Sequence, residues 1–346
     1  MKSLMVIAED LGHCAHSACA PQDVGILRAY AARVSLTRCG AVVRIGLALL
    51  LTTAGAFAQD LGHKLPGLLG LDAGSVPEPG LYLIERLAIY TADKQRDRNG
   101  DLVPTAPFDL LGRANAVGVS YTRKFSGDSL FLTLTAGGPI AHVKLDVENR
   151  PEIGVDRLGL GDFYLQPFRL GWREQRFDVV TSYGIYLPTG RSALAGGKGV
   201  SSGQITQEFS GGGAVYFKDR SRFMTALASY QLMTRQRGID ITRGDSVQIQ
   251  GGVGTKAFNE LGEIGIAGYA LWQVRDDRGT ELPPVLGGAR DRVYGLGPEF
   301  AVLIKAIQGQ LRVRYEWDFG VRARPQGHIF VVAINFLVHR PQQPIP

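Results

Sequence analysis

The sequence predicts an all-β protein, a transmembrane antiparallel up-and-down β-barrel of about twelve strands. Residues 311–324 alternate strictly, with apolar side chains at the odd positions from Leu311 to Val321 and charged side chains at most even ones. Such a strand suits lipid on one face and water on the other. Glycine supplies 45 of the 346 residues, roughly twice its average share, which favours a turn-rich β architecture. Short and long connections also alternate along the chain, as periplasmic turns and external loops do in outer-membrane barrels.

Residues 1–58 are predicted to be an N-terminal extension followed by a secretory signal peptide. Arg38 and Arg44 precede an apolar run, and Ala56-Phe57-Ala58 closes it as a small-x-small cleavage site. The uncharged run is shorter than the roughly 20 residues that a membrane-spanning helix requires, so we expect cleavage after Ala58. Residues 1–33 do not resemble a signal peptide, and one hypothesis is that translation starts at Val34.

All three cysteines precede the expected cleavage site, at Cys14, Cys19 and Cys39. Their spacing with His16 matches no zinc site. The mature chain would therefore have no disulfides, and no metal or other cofactor is expected.

Residues 59–80 contain three prolines and five glycines among several leucines. This composition excludes a regular helix or a central strand, yet it is apolar for a free linker. Two interpretations stay open: a plug inside the barrel or across its mouth, or a periplasmic tail bound to nothing.

Twelve strands are predicted between residues 81 and 338, and residues 339–346 form a C-terminal tail. The strand ranges are 81–93, 114–125, 129–147, 159–173, 177–190, 205–218, 222–236, 246–258, 264–277, 291–305, 310–324 and 327–338. The first and ninth show no clean face preference. In the third, Gly137-Gly138-Pro139 is expected to form a bulge that exchanges the two faces.

Several local patterns could indicate an enzyme. Gly199–Gly203 matches G-x-S-x-G but leads into a strand and lacks the helix of a nucleophile elbow. Gly251–Lys256 has the wrong spacing for a phosphate loop. His142 and His328 are the strand histidines that an outer-membrane lipid hydrolase could use, but each would need a nearby serine and an orienting group.

Charged residues on the predicted inward faces are the candidate lumen or solute path. A membrane barrel retains such charges where they line water or pair with one another, so they could either select solutes or brace a narrow barrel. They are Arg312, Arg314, Glu316, Asp318, Arg322, Glu299, Lys256, Arg169 and Arg173.

Three groups of residues resemble a known family of outer-membrane proteins, the meta-pathway phenol-degradation family, and the related sphingosine-induced outer-membrane proteins. They are His63–Gly67 with Pro79–Tyr82, Gly159–Asp162, and Leu187–Gly190. The resemblance spans about residues 63–338. It implies an outer-membrane barrel that moves hydrophobic or aromatic compounds inward, and it implies no catalytic residue.

The sequence therefore predicts a non-enzymatic channel of the Gram-negative outer membrane for small hydrophobic, aromatic or lipid-derived compounds. Both mature termini would lie in the periplasm, and twelve strands imply a constricted or plugged path. Expected partners are the lipid bilayer, lipopolysaccharide, the solute and the barrel-assembly machinery, but not nucleic acid, because the charges are interleaved rather than clustered. The alternatives are a lipid-modifying hydrolase and a structural or adhesion barrel.

Overall fold

The chain folds into a β-sheet of thirteen strand segments in the part that the structure describes. This computed structural model describes residues 65–340, except residue 105 and the ranges 127–128, 152–153, 192–198 and 283–287. The predicted signal peptide, the cysteines, residues 59–64 and the last six residues lie outside the described residues. The segments are β1 (Gly80–Gln95), β2 (Phe108–Ser126), β3 (Leu130–Val147), β4 (Val155–Leu160), β5 (Phe163–Arg173), β6 (Phe177–Leu187), β7 (Thr206–Phe217), β8 (Arg222–Met233), β9 (Ser246–Ala257), β10 (Gly262–Gln273), β11 (Arg292–Ile304), β12 (Gly309–Arg322) and β13 (Pro325–His339).

The sheet closes on itself. Each strand pairs antiparallel with its neighbours, and β1 pairs with both β2 and β13. Both β4 and β5 pair with β3, so these two segments form one wall strand that is interrupted at Gly161 and Asp162. The prediction of a closed antiparallel barrel with twelve strands is confirmed.

The interruption lies in the wall strand opposite Gly137–Pro139, not in β3 itself. The predicted bulge is wrong, because β2 and β3 pair through these residues without a register shift. On the other edge of β3 the Pro139 carbonyl accepts a hydrogen bond from Gly161 N (2.8 Å). The N–H and C=O of a strand residue point to the same edge, so the N–H that proline lacks is missing there. The partner strand consequently breaks at this point.

Asp162, at the break, is held by the loop that follows β6. Its carboxylate accepts hydrogen bonds from Ser202 N (3.0 Å), Ser202 Oγ (2.9 Å) and Ser201 Oγ. The G-x-S-x-G sequence therefore anchors a loop to the barrel wall.

Large apolar side chains cover the outside of the barrel. Each strand of the wall from β2 to β12 has at least one large apolar side chain that is more than a third exposed, as a bilayer-facing surface requires. Examples are Val117, Leu134, Phe168, Val179, Phe209, Met224, Val253, Ile266, Leu296 and Phe319. At one end β2 and β4 begin before the predicted strands, at Phe108 and Val155 rather than at residues 114 and 159. The outward side chains of β3 there become polar at His142, Lys144 and Asp146. No helix among the described residues has the length and apolar character needed to cross a bilayer.

Candidate functional site

Residues 65–79, the N-terminal segment, lie inside the barrel. The segment includes a short 3₁₀ helix, Gly70–Asp72. Three of its backbone N–H groups donate hydrogen bonds to side chains from separate parts of the wall, namely Leu69 to Gln250 of β9 (3.0 Å), Leu71 to Glu299 of β11 (3.1 Å) and Val76 to Asp178 of β6 (3.0 Å). Because these three wall side chains come from different positions around the barrel, the segment lies across the lumen.

Glycines in the wall make room for the apolar side chains of the segment. A Cβ atom on Gly252 or Gly265 would lie 2.8 Å from a methyl carbon of Leu71, and one on Gly171 would lie 2.7 Å from Val76. Leu71 is only 1% exposed. Any larger residue at these wall positions would collide with Leu71 or Val76, and at Gly252 and Gly265 it would also meet the carbonyl oxygens of Ile266 and Val253.

The backbone of the segment itself touches the wall at Gly74. A Cβ there would lie 2.1 Å from the carbonyl oxygen of Gly213 and 2.7 Å from that of Ala226. Gly67 and Gly70 have φ angles of +74° and +50°, which L-residues rarely adopt. Glycine is thus required both by close approach and by backbone conformation.

Arg312 joins the segment to two strands of the wall. Its guanidinium lies 3.0 Å from Glu299 Oε1, 2.7 Å from Glu263 Oε2 and 2.5 Å from Asp72 Oδ1. Glu299 is 1% exposed and Arg312 is buried. Removing one member of such a buried cluster leaves an unpaired charge and costs about 3–5 kcal/mol.

Arg314 extends the same cluster along β12. It donates hydrogen bonds to Glu299 Oε2 (2.9 Å), to Glu316 Oε2 (3.0 Å) and to the Gly67 carbonyl. Glu299 also accepts the Leu71 N–H. Glu299 therefore links both arginines to the backbone of the N-terminal segment.

A second polar group surrounds Asp318. Its carboxylate accepts hydrogen bonds from Tyr90 Oη (3.1 Å), Tyr269 Oη and Gly327 N (3.2 Å). The two tyrosine rings belong to a buried apolar cluster with Ala88, Ala92, Val293, Val321, Ile329 and Val331. On this side an apolar cluster surrounds the Asp318 carboxylate.

The opposite wall of the interior carries uncharged polar side chains. Buried serine, threonine and glutamine residues follow one another across β6 to β9: Ser182, Thr206, Ser210, Thr225, Ser229, Gln231, Ser246, Gln248 and Gln250. The side-chain nitrogens of Gln248 and Gln250 have no hydrogen-bond partner among the described residues. A buried amide nitrogen without a protein partner is a place for ordered water.

The structure brings most of the predicted site residues together in the lumen. Arg312, Arg314, Glu299 and Glu316 form the cluster just described, and Asp318 follows on the same face of β12. Two others hold the end of the N-terminal segment on the far wall: Arg169 donates to the Ser75 carbonyl (2.9 Å), and Arg173 pairs with Glu78 (2.5 Å). Lys256 lies apart near the β9–β10 turn, 3.6 Å from Glu260.

The assignment of Arg322 to the lumen is wrong. Arg322 is exposed, whereas Val321 is 4% exposed and belongs to the interior cluster. Gly320 has a φ of +59°, and the β11–β12 register shifts between Arg292 and Tyr294. This irregularity exchanges the two faces at the end of β12.

Several interior residues were not predicted. Asp72 lies on the N-terminal segment, whose position was left open. Glu263 is the second residue of β10, but it precedes the predicted strand 264–277. Arg86 of β1 and Arg324 after β12 also point inward. A signal for Arg86 exists, since Arg86, Ala88, Tyr90 and Ala92 share one parity.

A small cavity lies between the N-terminal segment and the wall formed by β1, β12 and β13. Its volume is about 10 Å³, room for about one water molecule. The residues that line it are Leu68, Leu69, Asp72, Arg86, Arg312, Arg314, Val331, Ala333 and Asn335. It therefore combines three arginines with an apolar surface.

Asp240 connects the loop after β8 to the loop after β10 by hydrogen bonds. Its carboxylate accepts hydrogen bonds from Thr280 N (3.0 Å) and Thr280 Oγ1 (2.7 Å). These hydrogen bonds, the backbone one first, lower the pKa of Asp240 below its usual value.

His142 and His328, the histidines considered for catalysis, lie on the outer face of the barrel. His142 lies 2.8 Å from Asp156 on the outside of β3, and His328 is exposed and stacks on Tyr315, with ring centroids 5.8 Å apart. Neither hydrogen-bonds a serine in the part of the chain that the structure describes.

Comparison with protein families identifies one match. The model of the family described as "Putative MetA-pathway of phenol degradation" matches residues 92–334. The chain belongs to this family. Comparison with curated proteins gives no match. In this member of the phenol-degradation family, the Gly159–Asp162 sequence contains the last two residues of β4 and the break before β5.

Solved structures similar to this family member are outer-membrane barrels. An outer membrane channel from Pseudomonas putida F1 is 13% identical, with a TM-score of 0.66 over 77% of this chain and 97% of that one. The translocator domain of NalP from Neisseria meningitidis is 10% identical, with a TM-score of 0.45 over 75% and 89%. The transport unit of AIDA-I from Escherichia coli is also 10% identical, with a TM-score of 0.44 over 82% and 97%. The first of these likenesses supports the barrel fold.

Proposed function

We propose that the protein is an outer-membrane channel for the uptake of small hydrophobic, aromatic or lipid-derived compounds. The observation that carries the proposal is a closed barrel with an apolar outside and an interior lined by charges, hydroxyls and amides. Such an interior is compatible with a water-filled path through a bilayer. Membership in a phenol-degradation family and similarity to a protein described as a channel agree with this function.

In this proposal the N-terminal segment is a plug that narrows the path. Leu71, Ala73 and Val76 are at most 5% exposed, and all three pack against wall residues. Arg312 and Arg314 have two roles in this proposal. They hold the plug, and their positive charges, together with the exposed parts of the lining, set the charge preference of the path. The plug interpretation is thereby favoured over a free periplasmic tail.

The proposed location is the Gram-negative outer membrane, with cleavage after Ala58 and both mature termini in the periplasm. The short turns at one end of the barrel and the longer loops at the other agree with this orientation. Assembly would use the barrel-assembly machinery, and the outer surface would contact lipopolysaccharide.

The test is conductance of the purified protein in planar bilayers. We expect discrete openings, smaller than those of 16- to 18-stranded porins, that aromatic solutes interrupt in a concentration-dependent manner. A protein that inserts, migrates as a folded barrel on unheated gels and neither conducts nor responds to solutes would refute a channel function. A matched lipid-hydrolysis assay of the wild type and the His142→Ala and His328→Ala variants tests the enzymatic alternative.

A further inference from the structure

Arg86 differs from the arginines that hold the N-terminal segment because it has no direct partner among the described residues. Arg169, Arg173, Arg312 and Arg314 each form a hydrogen bond or an ion pair. Arg86 forms neither with any residue in the described ranges, and its Nε atom is buried. A guanidinium inside a barrel is stable only if it contacts water or meets an anion.

The neighbouring carboxylates are already engaged elsewhere. Asp72 and Glu263 form ion pairs with Arg312, and Glu316 forms one with Arg314. Glu299 forms ion pairs with both arginines. Asp72 lines the same cavity as Arg86, but its ion pair is with Arg312. The positive charge of Arg86 is therefore directed at the cavity that it lines.

The cavity beside Arg86 is apolar in part, and an aromatic pair lies farther around the same wall. Tyr164 of β5 and Tyr186 of β6 are three and four strands from β1, and their rings pack with centroids 4.6 Å apart. The cavity beside Arg86 is lined by Leu68, Val331 and other apolar groups. A volume of about 10 Å³ accepts one small group such as a carboxylate oxygen, not a ring.

We propose that Arg86 binds the carboxylate of an aromatic acid that travels through the lumen, with the ring on the side of Tyr164 and Tyr186. Arginine is suited to this task because its planar donors match a carboxylate geometrically. The inference rests on the proposed channel function and narrows its solute class to compounds that carry both a ring and a negative charge.

The test compares benzoate with the neutral solute benzyl alcohol. Calorimetric titration of the detergent-solubilised full chain measures binding, and interruption of single-channel current measures passage. We expect Arg86→Gln to weaken benzoate binding at least about tenfold, the effect of losing a charge-assisted hydrogen bond, and to leave benzyl alcohol unchanged. Arg86→Lys should restore part of the affinity. Arg322→Gln, an exposed arginine on the same barrel, should change neither solute.

Equal benzoate affinity in wild type and Arg86→Gln would overturn the proposal, provided that both migrate as folded barrels. Benzoate binding should also be measured in fluoride and in chloride buffers of the same ionic strength. If chloride abolishes the binding, the site takes inorganic anions, and the proposal is overturned. A wild type that binds benzoate through Arg86 but conducts nothing would refute the channel and leave the binding site standing. A conducting wild type without charge preference would refute the binding site alone.

Discussion

Replacing Leu71 with alanine tests whether the N-terminal segment is a docked plug. Leu71 is 1% exposed and fits against wall glycines at Gly252 and Gly265. Loss of a fully buried leucine costs about 2–5 kcal/mol. The barrel strands do not depend on this side chain for pairing, so we expect the cost to fall on docking. The ratio of docked to undocked segment should then fall by about 30-fold to about 5,000-fold.

Two assays read this ratio. Mean conductance in planar bilayers should increase, and a protease should cut the segment in the variant while the barrel stays folded on unheated gels. Leu158→Ala is the matched control, because Leu158 is 69% exposed on the outside of β4. Unchanged conductance together with full protease protection would refute the plug. Gly74→Val provides an independent variant, since its side chain would collide with the Gly213 carbonyl.

Two further outcomes are expected. Arg314→Ala leaves Glu316 without its cation and Glu299 with one arginine fewer. The reversal potential in a salt gradient should therefore shift toward that of a cation-selective channel, and the free energy of unfolding should fall by about 3–5 kcal/mol. Lower stability with unchanged ion selectivity would mean that Arg314 has only a structural role. The Asp240–Thr280 contact should be lost in acid, because a lowered carboxyl pKa stabilises the folded loop above the usual value of 3.8 and this stability disappears as pH falls through the lower value. Proteolysis of the loops after β8 and β10 should therefore increase below about pH 4 in the wild type, and Asp240→Asn should show the increase already at neutral pH.

The fold could be predicted from the sequence because strand alternation and connection lengths are local properties. The alternation did not show which face points inward on β1 and β10. On these strands apolar side chains point into the barrel, namely Ala88, Tyr90, Ala267 and Tyr269. The N-terminal segment and an apolar cluster fill the lumen there, so both faces of these strands are apolar. Alternation of apolar and polar residues cannot identify the inward face of a strand that contacts lipid on one side and a packed plug on the other.

The candidate site could be predicted only where the parity of a strand holds along its length. Arg312 to Asp318 on β12 fulfilled this condition. Arg322 did not, because Gly320 shifts the face beyond it. Asp72 was outside the reach of such reasoning, since its partner Arg312 is 240 positions away.

The long sequence separations of the plug contacts determine when the plug can dock during biogenesis. Gly67 and Leu71 precede the first strand, yet they bond to Arg314 and Glu299, which are 247 and 228 positions further along the chain. These partners do not exist as a surface until the last strands have joined the sheet. The first residues of the folded part are therefore the last to reach their place, and their protection from protease marks a finished barrel.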